Sequence, residues 1–473
     1  MKNEHIEAVF SRQSEHQWAV ARTTPAERIR KLRGLHDAML RHQKEIREAV
    51  WADLRKGPVE ADITEIGTVN TEIRHVIRHL RSWMAPRHTA APMVLFGTRS
   101  VVRYEPKGVC LIISPWNFPV NLTFIPLVAA IAAGNCVMIK PSEHAPASAA
   151  LMGRIVAELF PPEEVCLVEG DAETAQQLLA LPFNHVFFTG SPHIGKKVME
   201  AAARHLTSVT LELGGKNPVI VDETADLDHA AAQLAWINGM NAGQSCVECD
   251  YVLVHHSVHD ALVEKTARAI ERQYGATPEA RQASPDLCRL IHDRHFERAS
   301  QFIDDAVRKG GKIAFGGRTD VTERYLEPTL LTGVPDNALL WADEIFASLL
   351  PFRPYATLDE AIAFVRNTPQ PLAFYVFSRK KSTINTLIRE SRAGTTAIND
   401  LALQFYNPHL PFGGVNYSGI GNGHGHYAFM EFSNARSIVR QNRLFPLTQL
   451  FRPPYERHPM AVKWLVQALT RWL

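Results

Sequence analysis

The feature that most constrains the fold is a series of short apolar runs that alternate with helical stretches through the middle of the chain. Runs that are apolar at successive positions predict strands covered on both faces, as in a parallel sheet with helices on each side. The sequence therefore predicts an α/β fold with a doubly wound, Rossmann-like layer. The five predicted strands cover residues 109–113, 136–139, 165–168, 185–188 and 209–211.

A second alternating series predicts a second α/β domain, with strands at 218–221, 251–254, 330–331, 372–377 and 395–398. Residues 4–85 place apolar side chains at three- and four-residue spacing, which predicts helices. A short strand is predicted at 100–104. The absence of a repeat or a Gly/Ser linker indicates that the domains pack closely.

Composition excludes several classes of protein. The 473 residues contain 46% hydrophobic residues and nearly balanced charge, 51 Lys+Arg against 49 Asp+Glu. A disordered chain lacks such apolar content, and a dedicated nucleic-acid binder carries a basic stripe. Six cysteines are too few for a disulfide scaffold of this length, so a reducing cytoplasm is expected. The charged N-terminus does not resemble a signal peptide, and the longest apolar run is too short to span a bilayer.

Three motifs follow predicted strands of the first series, where ligands of open α/β sheets bind. ISPWNFP presents the Asn117 amide between two prolines, either as an oxyanion donor or as a helix cap. In IKPSE, Lys140 and Glu143 are either ligand-binding groups or solvated charges. FTGSPHIG places Gly190 and Gly195 five residues apart, which does not match the common dinucleotide fingerprint, and alone it predicts an ordinary strand-to-helix turn.

Two further motifs carry groups that suit catalysis. LELGGK puts Glu212 among apolar residues, where burial raises the pKa of a carboxylate towards that of a general base. NAGQSCVECD places Cys246 among small and polar residues in a predicted loop. A lone cysteine in such a loop is either a nucleophile or an inert packed thiol.

Taken in chain order, PWNFP, KPSE, FTGS, LELGGK, GQSC, EIF (344–346) and PFGG (411–414) resemble the aldehyde dehydrogenase superfamily over about residues 20–440. YEPKGVCLIISPWNFPVNL and GQSCVECDYVLV are most similar to the class 3 branch and its coniferyl-aldehyde relatives. The resemblance implies an NAD(P)-binding domain (1–86 and 106–211) and a catalytic domain (212–405). It also implies bridging or oligomerisation segments with a small β-arm (87–105 and 406–445) and a C-terminal tail (446–473).

The resemblance also implies roles for individual residues. Cys246 is expected to be the nucleophile, Asn117 to hold the oxyanion with the Cys246 backbone N–H, and Glu212 to activate the hydrolytic water. NAD is the expected cofactor because Glu143 would accept the ribose 2′-hydroxyl, and NADP remains possible. The residues implied to bind the cofactor are Ser114, Trp116, Lys140, Ser142, Glu143, Gly190, Ser191, Gly195, Leu213, Gly214, Glu344 and Phe346.

The implied function is NAD(P)+-dependent oxidation of a medium- or long-chain aliphatic or aromatic aldehyde to the carboxylate. One alternative is a CoA-acylating or acyl-phosphate-reducing relative, which generally lacks a base at Glu212. A second is a family member without catalytic activity. Three departures from the family pattern stand out: Ala347-Ser348 replace Gly-Pro, Asn416 replaces glycine, and Glu248-Cys249 follow the nucleophile. We expect the first to change the position of the nicotinamide-side loop.

Further predictions concern ligands and partners. His424 and His426 have no evident third ligand, so no metal is predicted and a surface or substrate-mouth loop is expected. Cys249 either traps an oxidised Cys246 as a disulfide or is a packed thiol. The resemblance implies a homodimer with a small-molecule aldehyde substrate and no nucleic acid. The basic, Trp-containing tail from Arg452 to Leu473 is compatible with peripheral membrane contact or with packing on the protein.

Overall fold

The computed structural model describes residues 3–92, 95, 97–441, 452–457 and 459–472. The predicted N-terminal helical region is confirmed. Its second helix begins after Thr24, whose hydroxyl accepts the Glu27 N–H while the Glu27 carboxylate accepts the Thr24 N–H at 2.7 Å. The helices of this region are Asn3–Ala21, Pro25–Arg41, Gln43–Leu54, Pro58–Ala61 and Thr68–Trp83, with a π-helical segment at Asp62–Gly67.

A six-stranded sheet contains all five strands predicted in the first series. Five of its strands are parallel, and the short edge strand Gly419–Ile420 runs antiparallel to Ser208–Leu213. Helices cover the sheet, as the wholly apolar strands required. The strand order is Gly419–Ile420, Ser208–Leu213, His185–Gly190, Val109–Ile113, Cys136–Lys140 and Val165–Leu167.

A seven-stranded sheet contains all five strands of the second series, together with Lys312–Phe315 and Leu349–Tyr355. The strand Leu349–Tyr355 pairs on both sides although it contains Pro351 and Pro354. It was not predicted from the sequence because prolines argue against a strand that is paired on both sides. The strand order is Lys312–Phe315, Thr329–Thr332, Leu349–Tyr355, Tyr251–His255, Pro218–Val221, Ala373–Phe377 and Thr395–Ile398.

A smaller antiparallel sheet contains the strand predicted at 100–104. Its strands are Arg87–Thr89, Arg99–Pro106 and Ser433–Arg440, with Arg99–Pro106 in the centre. Two short strands, Thr319–Asp320 and Tyr325–Leu326, form a separate pair. This mixed architecture, two large α/β layers and a small β-arm, is the predicted fold class.

The remaining helices connect the strands. The α-helices are Asn121–Ala133, Pro146–Leu159, Ala172–Leu179, Pro192–Ala203, Leu227–Gly239, His259–Tyr274, Pro278–Ala283, Asp293–Arg308, Leu358–Arg366, Lys381–Glu390, Gly425–Glu431 and Met460–Trp472. The 3₁₀ turns are Met240–Gly243, His256–Val258, Leu339–Trp341, Leu403–Tyr406 and Tyr455–Arg457. Among the described residues, none of the helices is long and apolar enough to cross a bilayer.

The chain passes between the two large sheets at one point that matters for the site. Strand Ser208–Leu213 ends the first sheet, Gly214 and Gly215 follow, and strand Pro218–Val221 begins the second sheet. The predicted boundary between residues 211 and 212 falls inside Ser208–Leu213. Glu212 therefore lies at the carboxyl end of a buried parallel strand, facing the junction of the two layers.

The predicted tail lies only partly within the described residues, since 446–451, 458 and 473 are outside them. Its helix, Met460–Trp472, exposes Trp464 to 75%. Leu465 is also exposed, and the side chains of Leu469 and Trp472 lie outside the described set.

Candidate active site

A cavity of about 290 Å³ lies at the carboxyl ends of strands His185–Gly190 and Ser208–Leu213. Its wall includes Asn117, Glu212 and Cys246, which are far apart in sequence. The structure therefore brings together all three residues predicted to be catalytic. Ligands of open α/β sheets bind at this end of the strands.

Cys246 is half-buried on a turn that the side chain of Asn217 holds by hydrogen bonds. The Asn217 amide donates to the carbonyl oxygens of Cys246 and Glu248, at 2.8 and 2.9 Å, and accepts the Ala373 N–H at 2.9 Å. Burial, with smaller contributions from the Glu344 and Glu212 carboxylates, raises the pKa of the Cys246 thiol to about 12. The resting side chain is therefore a thiol that needs a base to become a nucleophile.

The backbone before the nucleophile is in an uncommon conformation. Asn241, Ala242 and Gly243 have φ values of 50°, 55° and 70°, in the left-handed region. A Cβ at Gly243 would overlap the backbone of Ala347, so only glycine fits there. Strained backbone of this kind is found at functional sites, where packing fixes it.

Asn117 is buried beside this turn and held at both ends. Its side-chain N–H donates to the Gln244 carbonyl at 3.1 Å, and its backbone carbonyl accepts the Lys56 ammonium at 3.1 Å and the side-chain N–H of Asn241 at 2.9 Å. Lys56 in turn forms a 2.5 Å ion pair with Glu65. The amide is thus fixed in orientation at the cavity wall.

Glu212 lies between two partner strands, opposite Thr189 and Gly419. It is buried, and neither carboxylate oxygen has a hydrogen-bond partner among the described residues. Burial, together with the nearby Glu431 carboxylate, raises the pKa of Glu212 well above its usual range. A carboxyl group in this state is suited to exchanging a proton with a ligand in the cavity.

Seven of the twelve residues predicted to bind the cofactor line the same cavity. Ser191 also caps helix Pro192–Ala203, its hydroxyl accepting the Ile194 N–H at 3.4 Å, and Ser191 and Pro192 both line the cavity, so the start of that helix lies at the cavity wall. The seven residues are Trp116, Gly190, Ser191, Leu213, Gly214, Glu344 and Phe346.

The other five are not among the residues that line the cavity. Lys140 ends a neighbouring strand and pairs with Glu143 at 2.6 Å, and Ser142 accepts the His144 N–H in the same loop. Ser114 is buried with its hydroxyl 2.6 Å from that of Thr123, which joins its loop to a helix. Gly195 faces Leu213, to which a Cβ would come within 2.9 Å, so it permits close helix–strand packing.

The cavity residues that the sequence analysis missed include His295 and Arg298, both on helix Asp293–Arg308. The His295 ring bonds the Phe346 carbonyl at 2.8 Å, and Arg298 donates to the carbonyl oxygens of Ile345, at 3.0 Å, and of Glu344. They hold the segment that carries Glu344 and Phe346. Neither residue belongs to a motif, so the sequence offered no signal for them.

The departures from the family pattern are accommodated by contacts. Ser348 donates its hydroxyl to the Asn238 carbonyl at 2.7 Å, which joins its loop to helix Leu227–Gly239. Asn416 adopts φ 54°, a conformation that asparagine tolerates better than most residues. Cys249 is 1% exposed and packs in the apolar core with Val247. This burial favours the packed-thiol alternative.

On its other side Cys246 borders two smaller apolar cavities, of about 30 and 20 Å³. Leu122 lines both, and the aromatic residues Phe405 and Phe412 line one each. His424 belongs to the second and is buried, which lowers its pKa to about 4. No group of three metal-ligating side chains occurs among the residues described.

A thiol between a cleft at strand ends and an apolar passage, with a buried carboxyl group and a fixed amide beside it, defines the class of NAD(P)-dependent aldehyde dehydrogenases. The model of the aldehyde dehydrogenase family matches residues 1–438, and the chain belongs to this family. The predicted family is thus confirmed.

Several relatives are similar over nearly their whole length. The chain is 42% identical to 4,4'-diaponeurosporen-aldehyde dehydrogenase of Staphylococcus aureus, covering 91% of this chain and 92% of the relative. It is 39% identical to aldehyde dehydrogenase family 3 member B1 of Rattus norvegicus, covering 93% of each. The class 3 resemblance is therefore confirmed.

Solved structures agree in fold. The substrate-bound state of Staphylococcus aureus AldH has a TM-score of 0.93 at 39% identity, covering 98% of this chain and 99% of that one. The NAD+ complex of an aldehyde dehydrogenase from Bacillus cereus has a TM-score of 0.85 at 27% identity, covering 93% and 90%.

Proposed function

We propose that this protein oxidises a medium- or long-chain aldehyde to its carboxylate with NAD+ through a covalent intermediate on Cys246. The observation that carries the proposal is the position of Cys246 between two spaces. It borders the larger cavity, which Glu344 and Phe346 also line, and it borders the two small apolar cavities lined by Phe405 and by Phe412. A cofactor on one side and an aldehyde chain on the other would meet at the thiol.

The residues of the site suit successive steps of this chemistry. Ionised Glu212, or water beside it, removes the thiol proton, and the thiolate attacks the aldehyde carbon. The Asn117 amide and the Cys246 backbone N–H stabilise the oxyanion that forms. Once Glu212 has passed the thiol proton to solvent and the intermediate has been oxidised to the thioester, the ionised Glu212 takes a proton from the water that hydrolyses the thioester. The Glu212 carboxyl group is buried and has no hydrogen-bond partner among the described residues, which supports its use in both proton transfers.

The cavity wall fits a dinucleotide. Glu344 is half-buried beside Gly214, where a Cβ would overlap its carboxylate. Loss of solvent around the carboxyl group, followed by the Asp250 charge, raises the pKa of Glu344 to about 8. A hydroxyl-rich ribose would satisfy this group, and the start of helix Pro192–Ala203 suits a pyrophosphate. When bound, the oxidised nicotinamide supplies the hydride acceptor.

The other proposed cofactor contacts lie further along the sheet edge. Lys140 and Glu143 are assigned to the adenosine ribose, with Ser142 in their loop, and Trp116 and Gly190 both line the cavity. Burial alone would raise the pKa of Glu143, but its hydrogen bond from Lys140 and backbone contacts lower it overall. An ionised Glu143 repels a 2′-phosphate, so NAD is favoured and NADP is the weaker alternative.

The alternatives predict different products. A CoA-acylating or acyl-phosphate-reducing enzyme has no use for a water-activating carboxylate, whereas Glu212 lines the cavity that holds Cys246. A non-catalytic relative would not need Asn117, Glu212 and Cys246 in one wall. These residues favour the hydrolytic dehydrogenase.

The test is an assay of purified protein with aliphatic and aromatic aldehydes and with NAD+ or NADP+. NADH and free carboxylate should form, and Cys246→Ala should abolish turnover while NAD+ binding, measured by calorimetry, stays nearly unchanged. Cys166→Ala, a half-buried thiol on strand Val165–Leu167, is the matched control. Normal turnover by Cys246→Ala, or an acyl-CoA product, would contradict the proposal.

The small three-stranded sheet suggests how two copies of the chain form a dimer. Ser433–Arg440 is an edge strand of the three-stranded sheet and is exposed from Asn434 onwards, so its free edge suits pairing in a homodimer. Sedimentation of full-length protein should give twice the 52.9 kDa chain mass. A monomer would contradict this proposal.

Membrane contact through helix Met460–Trp472 would bring the enzyme near lipid-derived aldehydes. The exposed Trp464 and Leu465, next to Lys463, have the composition of an interfacial helix. Full-length protein should float with anionic liposomes at low salt, and a protein ending at Leu450 should not. If neither floats and the shortened protein is less thermally stable, the tail packs on the protein instead.

A further inference from the structure

Phe405 lies between two cavities. It lines the inner cavity of about 30 Å³ at Cys246 and also an outer cavity of about 260 Å³, as does its neighbour Tyr406. The centroid of the Phe405 ring lies 4.6 Å from the ring of His424 and 5.1 Å from that of Phe412. His424 and Phe412 both line a third cavity, of about 20 Å³. Phe405 therefore forms a partition between the nucleophile and the larger space beyond it.

The inner cavities are too small for a hydrocarbon chain. A single water molecule requires roughly 10–15 Å³ of such space, so the two cavities at Cys246 hold only a few waters. The outer cavity is much larger, and Ile63, Ile125 and Pro408 contribute apolar surface to it. An aldehyde with its carbonyl at Cys246 extends towards the space that Phe405 now fills.

The wall of the outer cavity also contains a polar group. Glu72 lines it and is buried, with Oε1 accepting the Gly425 N–H at 2.8 Å. The lining of the outer cavity is therefore not wholly apolar.

The ring is held by contacts that can be exchanged for contacts with a ligand. Phe405 meets His424, Phe412 and Tyr406 edge-on, at interplanar angles of 75°, 87° and 82°. Phe405 lies on the short 3₁₀ turn Leu403–Tyr406. This turn follows Ala402, whose φ is 59°. Burying several methylene groups of an aldehyde chain in the outer cavity offsets the loss of such aromatic contacts.

We propose that Phe405 is the specificity-determining residue that sets the chain length of the aldehyde. Short chains stay on the inner side of the ring, and chains that gain enough contact in the outer cavity displace it. This inference rests on the proposed function, because it takes aldehyde oxidation at Cys246 as given.

The experiment compares kcat/KM for saturated straight-chain aldehydes of four to twelve carbons, with NAD+ in excess. Phe405→Ala should join the inner and outer cavities, and the ratio of kcat/KM for the longest to the shortest aldehyde should rise roughly tenfold or more. Phe405→Trp should lower the same ratio by enlarging the partition. Leu403→Ala, on the same turn but 54% exposed, should leave the ratio unchanged.

The two Phe405 variants keep the inference testable if one of them folds poorly. An unchanged ratio in the folded variants, or an equal change in Leu403→Ala, would overturn the role of Phe405. Aldehyde oxidation by the wild-type protein would still stand in that case. Failure of the wild type to oxidise any member of the series would instead overturn the proposed function.

Discussion

Gly423 lies so close to Glu212 that a Cβ built on its backbone would be 2.9 Å from the carboxylate Oε1. The two residues come from different elements, since Glu212 ends a strand of the six-stranded sheet and Gly423 precedes helix Gly425–Glu431. Because Gly423 has no side chain, there is room for the Glu212 carboxylate beside it. The position of the proposed base is therefore set by backbone packing, because no hydrogen bond among the described residues fixes it.

Gly423→Ala should displace the Glu212 carboxylate, which is the flexible end of its side chain, without disturbing the backbone. Thioester hydrolysis should slow by roughly ten- to a hundredfold while the first turnover persists. Rapid-mixing measurement of NADH separates the two phases. Gly153→Ala, where a Cβ would meet its nearest neighbour at an ordinary 3.6 Å, is the control and should be unaffected. An unchanged steady-state rate in Gly423→Ala would show that the carboxylate position is not critical.

Glu212→Gln should produce a burst of NADH, at most one per active site, and then stall. The amide keeps the shape of the side chain but cannot accept the proton of the hydrolytic water. Stopped-flow absorbance of NADH and mass spectrometry of the acylated Cys246 check this. Steady turnover at the wild-type rate would remove Glu212 from the role of base.

Glu431→Gln should shift the pH dependence of hydrolysis to lower pH. The Glu431 carboxylate is a secondary cause, after burial, of the raised pKa of Glu212. Because the raised pKa favours the protonated form of Glu212, turnover limited by hydrolysis should increase with pH. Removal of the like charge lowers that pKa and brings the increase to lower pH. Identical pH–rate profiles for both proteins would indicate that Glu212 does not control the step.

Lys56→Met should lower the free energy of unfolding by about 3–5 kcal/mol, because it leaves the Glu65 carboxylate buried without its cation. Both side chains are fully buried and lie 2.5 Å apart. Lys44→Met, from the exposed Lys44–Glu48 pair, should change stability by no more than about 1 kcal/mol. Urea unfolding measures both. Equal losses in the two variants would mean that the buried pair is not specifically stabilising.

Cys249→Ser should leave the response to oxidation unchanged. Burial, with the Glu248 carboxylate next, raises the pKa of Cys249 well above its usual range, so its thiol is a poor partner for an oxidised Cys246. After peroxide and then a thiol reductant, wild-type and variant enzymes should recover the same activity. Better recovery in the wild type would support the disulfide trap.

Much of the fold was predictable because it depends on local pattern. Strands such as Val109–Ile113 and Pro218–Val221 are short, wholly apolar and bounded by turns, so their type follows from the sequence alone. Leu349–Tyr355 was missed because its two prolines argue against a paired strand, and only the neighbouring strands make the pairing favourable.

The sequence by itself determined which chemical groups the protein has, namely the thiol of Cys246, the carboxyl group of Glu212 and the amide of Asn117. It also determined the glycines and prolines that shape the turns around them. Only the tertiary structure decided that these groups share one wall, that His295 and Arg298 hold the segment before Ala347, and that Phe405 separates two cavities. The physical reason is that turns and strands arise from interactions between neighbours in the chain, whereas burial and contacts across space depend on how distant segments pack.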